Sequence, residues 1–439
     1  MKKYFIYHIT VALLALSACS NKLDVFPDTQ IAPDQVSRNN LPLLVNGARL
    51  GLTNNSFYGY YVLHDVMSDD VQTLSFAGFE AGNIPTTENV LTFAYRYPYQ
   101  CIANANSAIS FGEKNLDDAI KPAVGEAYLL RAYAYSMLTE QFGDAVIILG
   151  GENPLTLPHR EPAAKVEAQV AADLAKAIEY LPDFAGKTLV ASKQAAQLLL
   201  ARFYLNTGKH TEAKQLAETV ISSGKFSLEA GKYVEMFKYN SSAKELIYAI
   251  GETSNNNSTA YGLPNVYGPG GAGQAGSGNT WIDSLLVKSY ENGDIRKAAY
   301  LKKKNENLGI ELYYLTKFPM EATPAYPICR LSEAYLISAE ATARGGVVDV
   351  TQYNALRSKR GASTRQNGDF AGPQAFLDEI EQERRREFTG ERMRWNDMRR
   401  FGKAVPFLAS LQQPAGHVLM PVPDRMLTLN PNIQQNNDY

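Results

Sequence analysis

The sequence is poor in the residues on which metal sites, disulfide frameworks and membrane spans depend. Its 439 residues include 3 cysteines, 5 histidines and 2 tryptophans, and the formal net charge is −2. This charge balance excludes a basic body built to bind nucleic acid. The histidines are scattered, with no HExxH pattern, so we predict neither a metal site nor a cofactor. After the N-terminal segment no apolar run reaches about 18 residues, so we expect no membrane-spanning helix.

The three types of aromatic residue occur in very different numbers. Scarce tryptophan weakens the case for broad sugar-stacking platforms, but tyrosine outnumbers phenylalanine 26 to 18. Tyrosine rings are amphipathic, so some are expected half-exposed where ligands or partners can stack. Trp281, at the start of a predicted helix, and Trp395, in a charged stretch, are both expected in the core.

The N-terminus predicts export and a lipid anchor. Lys2 and Lys3 precede the apolar run Phe5–Leu16, which is too short for a permanent membrane helix. Leu-Ser-Ala-Cys at 16–19 resembles a bacterial lipobox, which predicts a signal peptide at 1–18 and lipidation of Cys19. An ordinary secretory peptide cut just before Cys19 is the alternative. Residues 19–40 are polar, contain two prolines and predict a tether.

Two further cysteines, Cys101 and Cys329, each lie in a helical pattern. An exported protein could pair them. Two buried thiols explain cysteines so far apart in sequence equally well, and we favour that interpretation.

Residues 41–439 are predicted to form a single, mainly helical domain. The clearest element is the hairpin at 192–224, where Ala201, Tyr204, Gly208 and Ala213 match tetratricopeptide spacing. Small residues allow antiparallel helices to approach, and one hairpin needs neighbours to bury its face. The sequence therefore predicts a mainly α fold, a tetratricopeptide-like scaffold of helical hairpins with minor β structure.

An irregular, loop-rich insert at about 226–326 interrupts this scaffold. Leu246–Ile250 and Leu312–Lys317 are strand-like, and between them lies a long Gly-, Asn- and Ser-rich segment. A loop of this length in a compact domain is usually functional or disordered. Loop aromatics beside amides suit the apolar face and hydroxyl rim of a sugar, although packing explains any one of them as well. The predicted ligand-binding residues are Phe76, Phe79, Tyr261, Asn265 and Tyr267.

The most distinctive stretch is 383–402, ERRREFTGERMRWNDMRRFG. Glu383, Glu387 and Glu391 follow i, i+4 spacing, so they share one helix face among many arginines. We interpret the stretch as an ion-pair lattice that clamps the last helices and the C-terminal tail, with an anion site or a partner surface as alternatives. The residues assigned to this structural signature are Arg386, Glu387, Glu391, Arg394, Trp395, Asp397 and Arg399.

Four segments together resemble the SusD/RagB family. They are RAY at 131–133 with FGD at 142–144, LSEAYL at 331–336, the stretch at 383–402, and PVP at 421–423 with the NPN that begins at Asn430. The resemblance implies a lipoprotein on the outside of the outer membrane, which binds a glycan or a peptide and passes it to a SusC-like TonB-dependent transporter. It implies no enzyme activity. The family's ligand residues lie in variable loops, so the resemblance transfers none of them.

Alternatives to this function remain. His64, Asp65, Asp69 and Asp70 form the one His/carboxylate cluster, read either as a metal site or as a helix end capped by its own carboxylates. A tetratricopeptide-type lipoprotein that scaffolds an outer-membrane assembly would share the anchor and the fold. A secreted hydrolase is the third class, but no nucleophile or catalytic motif marks it.

Overall fold

The computed structural model describes residues 35–53, 57–152, 156–238, 243–251, 262–271, 276–318 and 325–439. It is mainly helical, with 54% helix and 8% strand, which confirms the predicted fold class. The α-helices of these residues are α1 (Leu41–Gly51), α2 (Phe57–Val66), α3 (Ala77–Glu80), α4 (Asn89–Lys114), α5 (Lys121–Phe142), α6 (Ala163–Tyr180), α7 (Lys193–Asn206), α8 (His210–Ser222), α9 (Leu263–Tyr267), α10 (Ser284–Lys288), α11 (Leu331–Arg344), α12 (Thr351–Arg360), α13 (Pro373–Phe388), α14 (Arg394–Arg400), α15 (Ala404–Ser410) and α16 (Asp424–Leu429).

Helices α4 and α5 form the first long hairpin. Pro98 lies inside α4, yet one continuous helix runs from Asn89 to Lys114. Helix α5 ends at Gly143, whose φ of 72° is costly for residues with a Cβ. The two helices approach closely at Gly112, where a Cβ atom would overlap the side chain of Val124.

Helices α7 and α8 are the predicted tetratricopeptide-like hairpin. Ser192 caps α7 by accepting a hydrogen bond from the Ala195 amide at 3.3 Å. Ala201, Ala213 and Ala217 are completely buried between the helices, as small residues at a close approach should be. Helix α11 packs against α8 and continues the stack to α12 and α13.

Two small antiparallel sheets accompany the helices. One has the strand order β1-β3-β5-β4 and the other pairs β2 with β6. The strands are β1 (Val71–Thr73), β2 (Leu246–Gly251), β3 (Thr280–Ile282), β4 (Tyr300–Lys304), β5 (Glu311–Leu315) and β6 (Ala325–Arg330). Two helical predictions were wrong here, since Trp281 lies in β3 and Cys329 in β6. Pairing with neighbouring strands determines both of these strand assignments, and the local periodicity of the sequence does not reveal that pairing.

The two described cysteines are buried and unpaired. Cys101 and Cys329 are both free thiols, which confirms the interpretation that we favoured. Burial raises the pKa of both thiols, as expected for inert core cysteines. Cys19 and the signal segment 1–18 lie outside the described residues, so lipidation stays a prediction. None of the helices in the described ranges is long and apolar enough to cross a membrane.

The C-terminal tail is strapped across the body, as its prolines predicted. The Asn436 side chain donates to the carbonyls of Phe142 and Met420, at 3.0 and 2.7 Å. Its Oδ1 accepts from Arg160 at 2.9 Å. The Tyr439 ring stacks on His417 with centroids 4.2 Å apart. The Asn436 side chain thus satisfies the carbonyl of Phe142, which the end of α5 leaves open.

Candidate functional site

The His/carboxylate cluster spans the last turn of α2, with His64 and Asp65, and the short turn that connects α2 to the four-stranded sheet, with Asp69 and Asp70. Asp69 accepts two hydrogen bonds from Arg394, at 2.7 and 2.9 Å, and Asp70 is ion-paired with Arg385. Within the described ranges, no group of three His, Cys, Asp or Glu side chains could hold a metal ion. The carboxylates of this turn therefore attach it to the arginine stretch.

Strands β1 and β3 bring two loops together at one edge of this sheet. Gln72 lies opposite Trp281, and the Trp281 indole donates to the Gln72 side chain at 2.7 Å. Beneath them the hydroxyls of Thr73 and Thr280 are 3.0 Å apart. The residues on either side of Gln72 and of Trp281 in their strands are buried. Gln72 itself is exposed, and Trp281 is half-buried. This edge therefore presents an aromatic ring beside an amide.

The first loop continues the surface. The Leu74 amide donates to the Asn279 carbonyl at 2.8 Å, and the Leu74 side chain is 50% exposed. The turn that follows is fixed because Glu80 accepts from the Thr73 amide at 2.9 Å. Phe76 comes next and is partly buried against the core. Gln72, Leu74, Phe76, Asn279 and Trp281, called here the strand-edge surface, thus share one small region.

The predicted ligand-binding residues differ in how exposed they are. Phe76 is partly buried, and its ring lies edge-on to Phe79 with centroids 6.4 Å apart. Phe79 is 2% exposed and Tyr267 is completely buried, so neither ring has a free face in this conformation. Asn265 is partly exposed on α9, and Tyr261 lies outside the described residues. A ligand role for these five residues stays a prediction.

Tyr267 anchors the insert to the body. Its hydroxyl donates to Oδ2 of Asp65 at 3.0 Å, and the same oxygen accepts from the Arg392 amide at 3.1 Å. Burial raises the pKa of Asp65 to about 7, although these two hydrogen bonds act to lower it. The other carboxyl oxygen, Oδ1, is buried and makes no hydrogen bond in the described part of the chain. Asp65 thus joins α2, the insert and the arginine stretch.

The stretch at 383–402 is an ion-pair lattice built from several segments. Arg296 contacts Glu383 at 2.7 Å and Glu387 at 2.9 Å, and all three side chains are completely buried. Burial acts to raise the pKa of Glu383, but Arg296, Arg386 and Arg357 together lower it to about 2. Further partners of Glu387 and Glu391 are Lys317, Arg330 and Arg360.

This lattice joins more than the predicted pair of last helices. Its cations come from the insert, β6 and α12. Asp397 binds Arg384 and Arg400, each at 2.8 Å, and Arg400 reaches Glu340 on α11. Arg384 and Arg400 lie within the stretch, whereas Arg296, Arg330, Arg360 and Glu340 come from segments far away in sequence, and so the sequence could not name these distant partners.

The predicted hold on the tail comes from a different residue type. The buried Trp395 indole donates to the Val418 carbonyl at 3.2 Å, and Arg160 donates to the Gln434 carbonyl at 2.9 Å. The stretch is thus hydrogen-bonded to the tail through this indole, and a clamping role for its arginines stays a prediction. Trp395 is a core residue, as expected, at 1% exposure.

Family models match most of the chain in two blocks. A model described as "Starch-binding associating with outer membrane" matches residues 24–205, and the SusD family model matches residues 300–415. The chain belongs to the SusD/RagB family. SusD proteins are binding proteins and not enzymes, which confirms the predicted lack of catalytic activity.

Relatives agree with this assignment over their full length. SusD-like protein P2 of Formosa agariphila is 26% identical and aligns over 100% of this chain and 99% of its own. A SusD superfamily crystal structure from Bacteroides thetaiotaomicron has a TM-score of 0.78 at 23% identity, covering 91% of this chain and 100% of that one. A laminarin-binding SusD-like protein has a TM-score of 0.77 at 22% identity, covering 91% and 98%. These two structures show the shared SusD fold.

Sequence reasoning missed Trp281 as a candidate contact, because it assigned this residue to a helix and the core. A signal was present. Thr280, Trp281 and Ile282 are β-branched or aromatic residues that follow a glycine-rich loop, a composition that favours a short strand.

Proposed function

We propose that this SusD protein is an outer-membrane lipoprotein that captures an oligosaccharide on the strand-edge surface and delivers it to a SusC-like TonB-dependent transporter. The observation that carries the proposal is the half-buried Trp281 ring, hydrogen-bonded to exposed Gln72. The family model's description and the laminarin-binding relative support a glycan over a peptide. Residues 19–40 would tether the domain to the lipid on Cys19.

Capture requires no covalent step. The apolar face of a sugar ring stacks on the indole, and the Gln72 side chain meets the hydroxyl rim. The indole–amide hydrogen bond fixes the ring before the ligand arrives, which reduces the entropy lost on binding. Asn265 and Tyr261, in the same insert as Trp281, are proposed as further ligand contacts. Handover then needs only a transporter with higher affinity.

The experiment is titration calorimetry of the full chain in detergent. The probes are maltohexaose, laminarihexaose, xylohexaose, mannohexaose and cellohexaose, with a tripeptide library as the comparison. Trp281→Ala should weaken the best hexasaccharide about 3- to 10-fold, because an aromatic contact contributes about 0.5–1.5 kcal/mol. Trp281→Phe, which keeps a ring, should lose less.

Tyr97→Ala is the matched control, since this partly exposed ring lies on α4, outside the strand-edge surface. It should leave the affinity unchanged. The proposal is wrong if no hexasaccharide binds, or if Trp281→Ala and Tyr97→Ala have equal effects. Tripeptide binding that depends on Trp281 would instead select a peptide-binding member of the family.

A further inference from the structure

We propose a second sugar-binding pocket, formed by the C-terminal tail with α5, α6 and α14, that recognises hydroxyl groups through charged side chains and amides. It is separate from the strand-edge surface, and their residues do not overlap. The two sites therefore use different chemistry, ring stacking in one and charge-assisted hydrogen bonding in the other.

The pocket consists of two adjoining cavities of about 270 and 670 Å³. Both are lined by Thr139, Glu167 and Arg399, so these three side chains stand where the cavities meet. Ligand sites commonly enclose about 300–1,000 Å³, and the combined space suits a short oligosaccharide.

Arg399 has donors to spare. Its neighbours on α14, Arg394 and Arg400, are both ion-paired with carboxylates. Arg399 makes one hydrogen bond, from Nη1 to the Glu140 carbonyl at 2.6 Å, and no carboxylate of the described residues lies within ion-pair distance. Burial lowers its pKa, although Glu140 and Glu167 act to raise it. A guanidinium in this state gains from any added acceptor.

Glu167 supplies the complementary acceptor. It lies on α6 beside the cavities, and its carboxylate has no hydrogen bond or ion pair among the described residues. Burial raises its pKa, while the charge of Arg399 acts to lower it. The two groups thus attract each other across the junction without contact. A hydroxyl group both accepts from a guanidinium and donates to a carboxylate, so a polyhydroxylated ligand bridges them.

The rest of the lining fits the same chemistry. The tail contributes Asn432, Gln434 and Asn437 to the larger cavity, and amides both donate and accept. The larger cavity is also lined by the apolar side chains of Ala163, Val418 and Leu419, and the smaller cavity by Phe203. Polar and charged side chains outnumber these in the larger cavity, which favours a hydroxyl-rich ligand over an apolar peptide side chain.

The test uses the full chain in detergent with Trp281→Ala as background, so that failure of the strand-edge surface cannot imitate failure of this pocket. The probes are the same five hexasaccharides. At least one should bind this background, and adding Arg399→Gln or Glu167→Gln should weaken it at least tenfold. Because Glu167 makes no described contact, Glu167→Gln should leave the melting temperature unchanged.

The controls are Arg365→Gln and Glu212→Gln, which make the same changes on other parts of the chain and should not alter affinity. Gln434→Ala, which trims an exposed amide at the cavity rim, should weaken binding by less than the two charged substitutions. The proposal is overturned if no hexasaccharide binds the background protein. It is also overturned if binding is equal in the Arg399 and Arg365 variants, which would mean a solvent-filled groove. A tripeptide with the same dependence on Arg399 would overturn the sugar assignment.

Discussion

At the residue scale, the buried carboxyl of Asp65 shows how one group gives the molecule a pH dependence. Its pKa is raised from 3.8 to about 7 by burial. Between these values the folded protein keeps a proton that the unfolded chain has lost. The contribution of this protonated carboxyl to the free energy of unfolding is therefore fully present below about pH 4 and is lost as the pH rises through 7. Glu383 acts oppositely, because its pKa in the folded protein is lowered to about 2. The stabilisation from its carboxylate is therefore present above the ordinary glutamate pKa and is lost as the pH falls through about 2.

Asp65→Asn should remove this loss of stability. The asparagine stays neutral, and its oxygen can still accept from Tyr267 and from the Arg392 amide. Relative to the parent, its free energy of unfolding should rise by roughly 3–4 kcal/mol between pH 4 and pH 8. Urea unfolding at several pH values measures this. Asp118→Asn, on an exposed side chain, should follow the parent, and parallel profiles for Asp65→Asn would disprove the assignment.

At the element scale, helices are locked together by a close approach and by buried charge. Gly112 on α4 lies so near α5 that an added methyl group would overlap Val124. Arg394 at the start of α14 binds Asp69 at 2.7 Å and is ion-paired with the buried Glu381. Both contacts join elements whose own helical propensity would not fix their relative position.

Gly112→Ala should destabilise the α4–α5 hairpin by about 1–3 kcal/mol, because the extra methyl group overpacks the interface. Gly368→Ala is the control, since nothing lies near a Cβ there. The melting temperatures of the two variants, compared by thermal unfolding, measure this destabilisation. Equal melting temperatures would show that the helices move apart at little cost.

Arg394→Ala should lower the free energy of unfolding by roughly 3–5 kcal/mol, because the buried Glu381 loses a cation. Arg425→Ala, at an exposed position, should have little effect. Denaturant titration measures the loss. Oligosaccharide affinity should not change in the folded fraction, because Arg394 lines neither proposed binding site, and an affinity loss at unchanged stability would show that Arg394 itself contacts ligand.

At the scale of the whole molecule, the helical stack, the insert and the tail form a body to which a lipid tether is proposed to be attached. The lattice binds the stack to the insert, and the tail crosses the ends of α5 and α14. A folded body that is tethered to the membrane can remain beside a membrane partner while its loops meet a ligand.

Cys19→Ser should release the protein from the membrane fraction, because the lipid is its only expected anchor. Ser20→Ala, one residue further on, should stay in that fraction and should bring a TonB-dependent β-barrel with it on affinity purification. Fractionation and mass spectrometry of the purified complex measure both. A Cys19→Ser protein that stays membrane-bound would contradict lipidation, and a missing β-barrel would contradict the transporter partnership.

Much of this architecture could be predicted from the chain. Helical periodicity predicted the α7–α8 hairpin to within a few residues, since it has small residues at tetratricopeptide spacing and a clear glycine turn. The family signature at 383–402 carried the family assignment. The strand at 280–282 was missed, because three residues show no reliable period.

The sequence by itself determined the fold class, the family and the presence of a charged lattice, because these depend on local periodicity and on residue types at fixed spacing. Only the tertiary structure decided the partners of each charge, the burial of Tyr267 and Phe79, and the exposure of Trp281. It also decided that Arg399 would lack a carboxylate partner in the described residues while its neighbours found one. The physical reason is that burial and pairing depend on contacts between segments hundreds of residues apart, which no local pattern encodes.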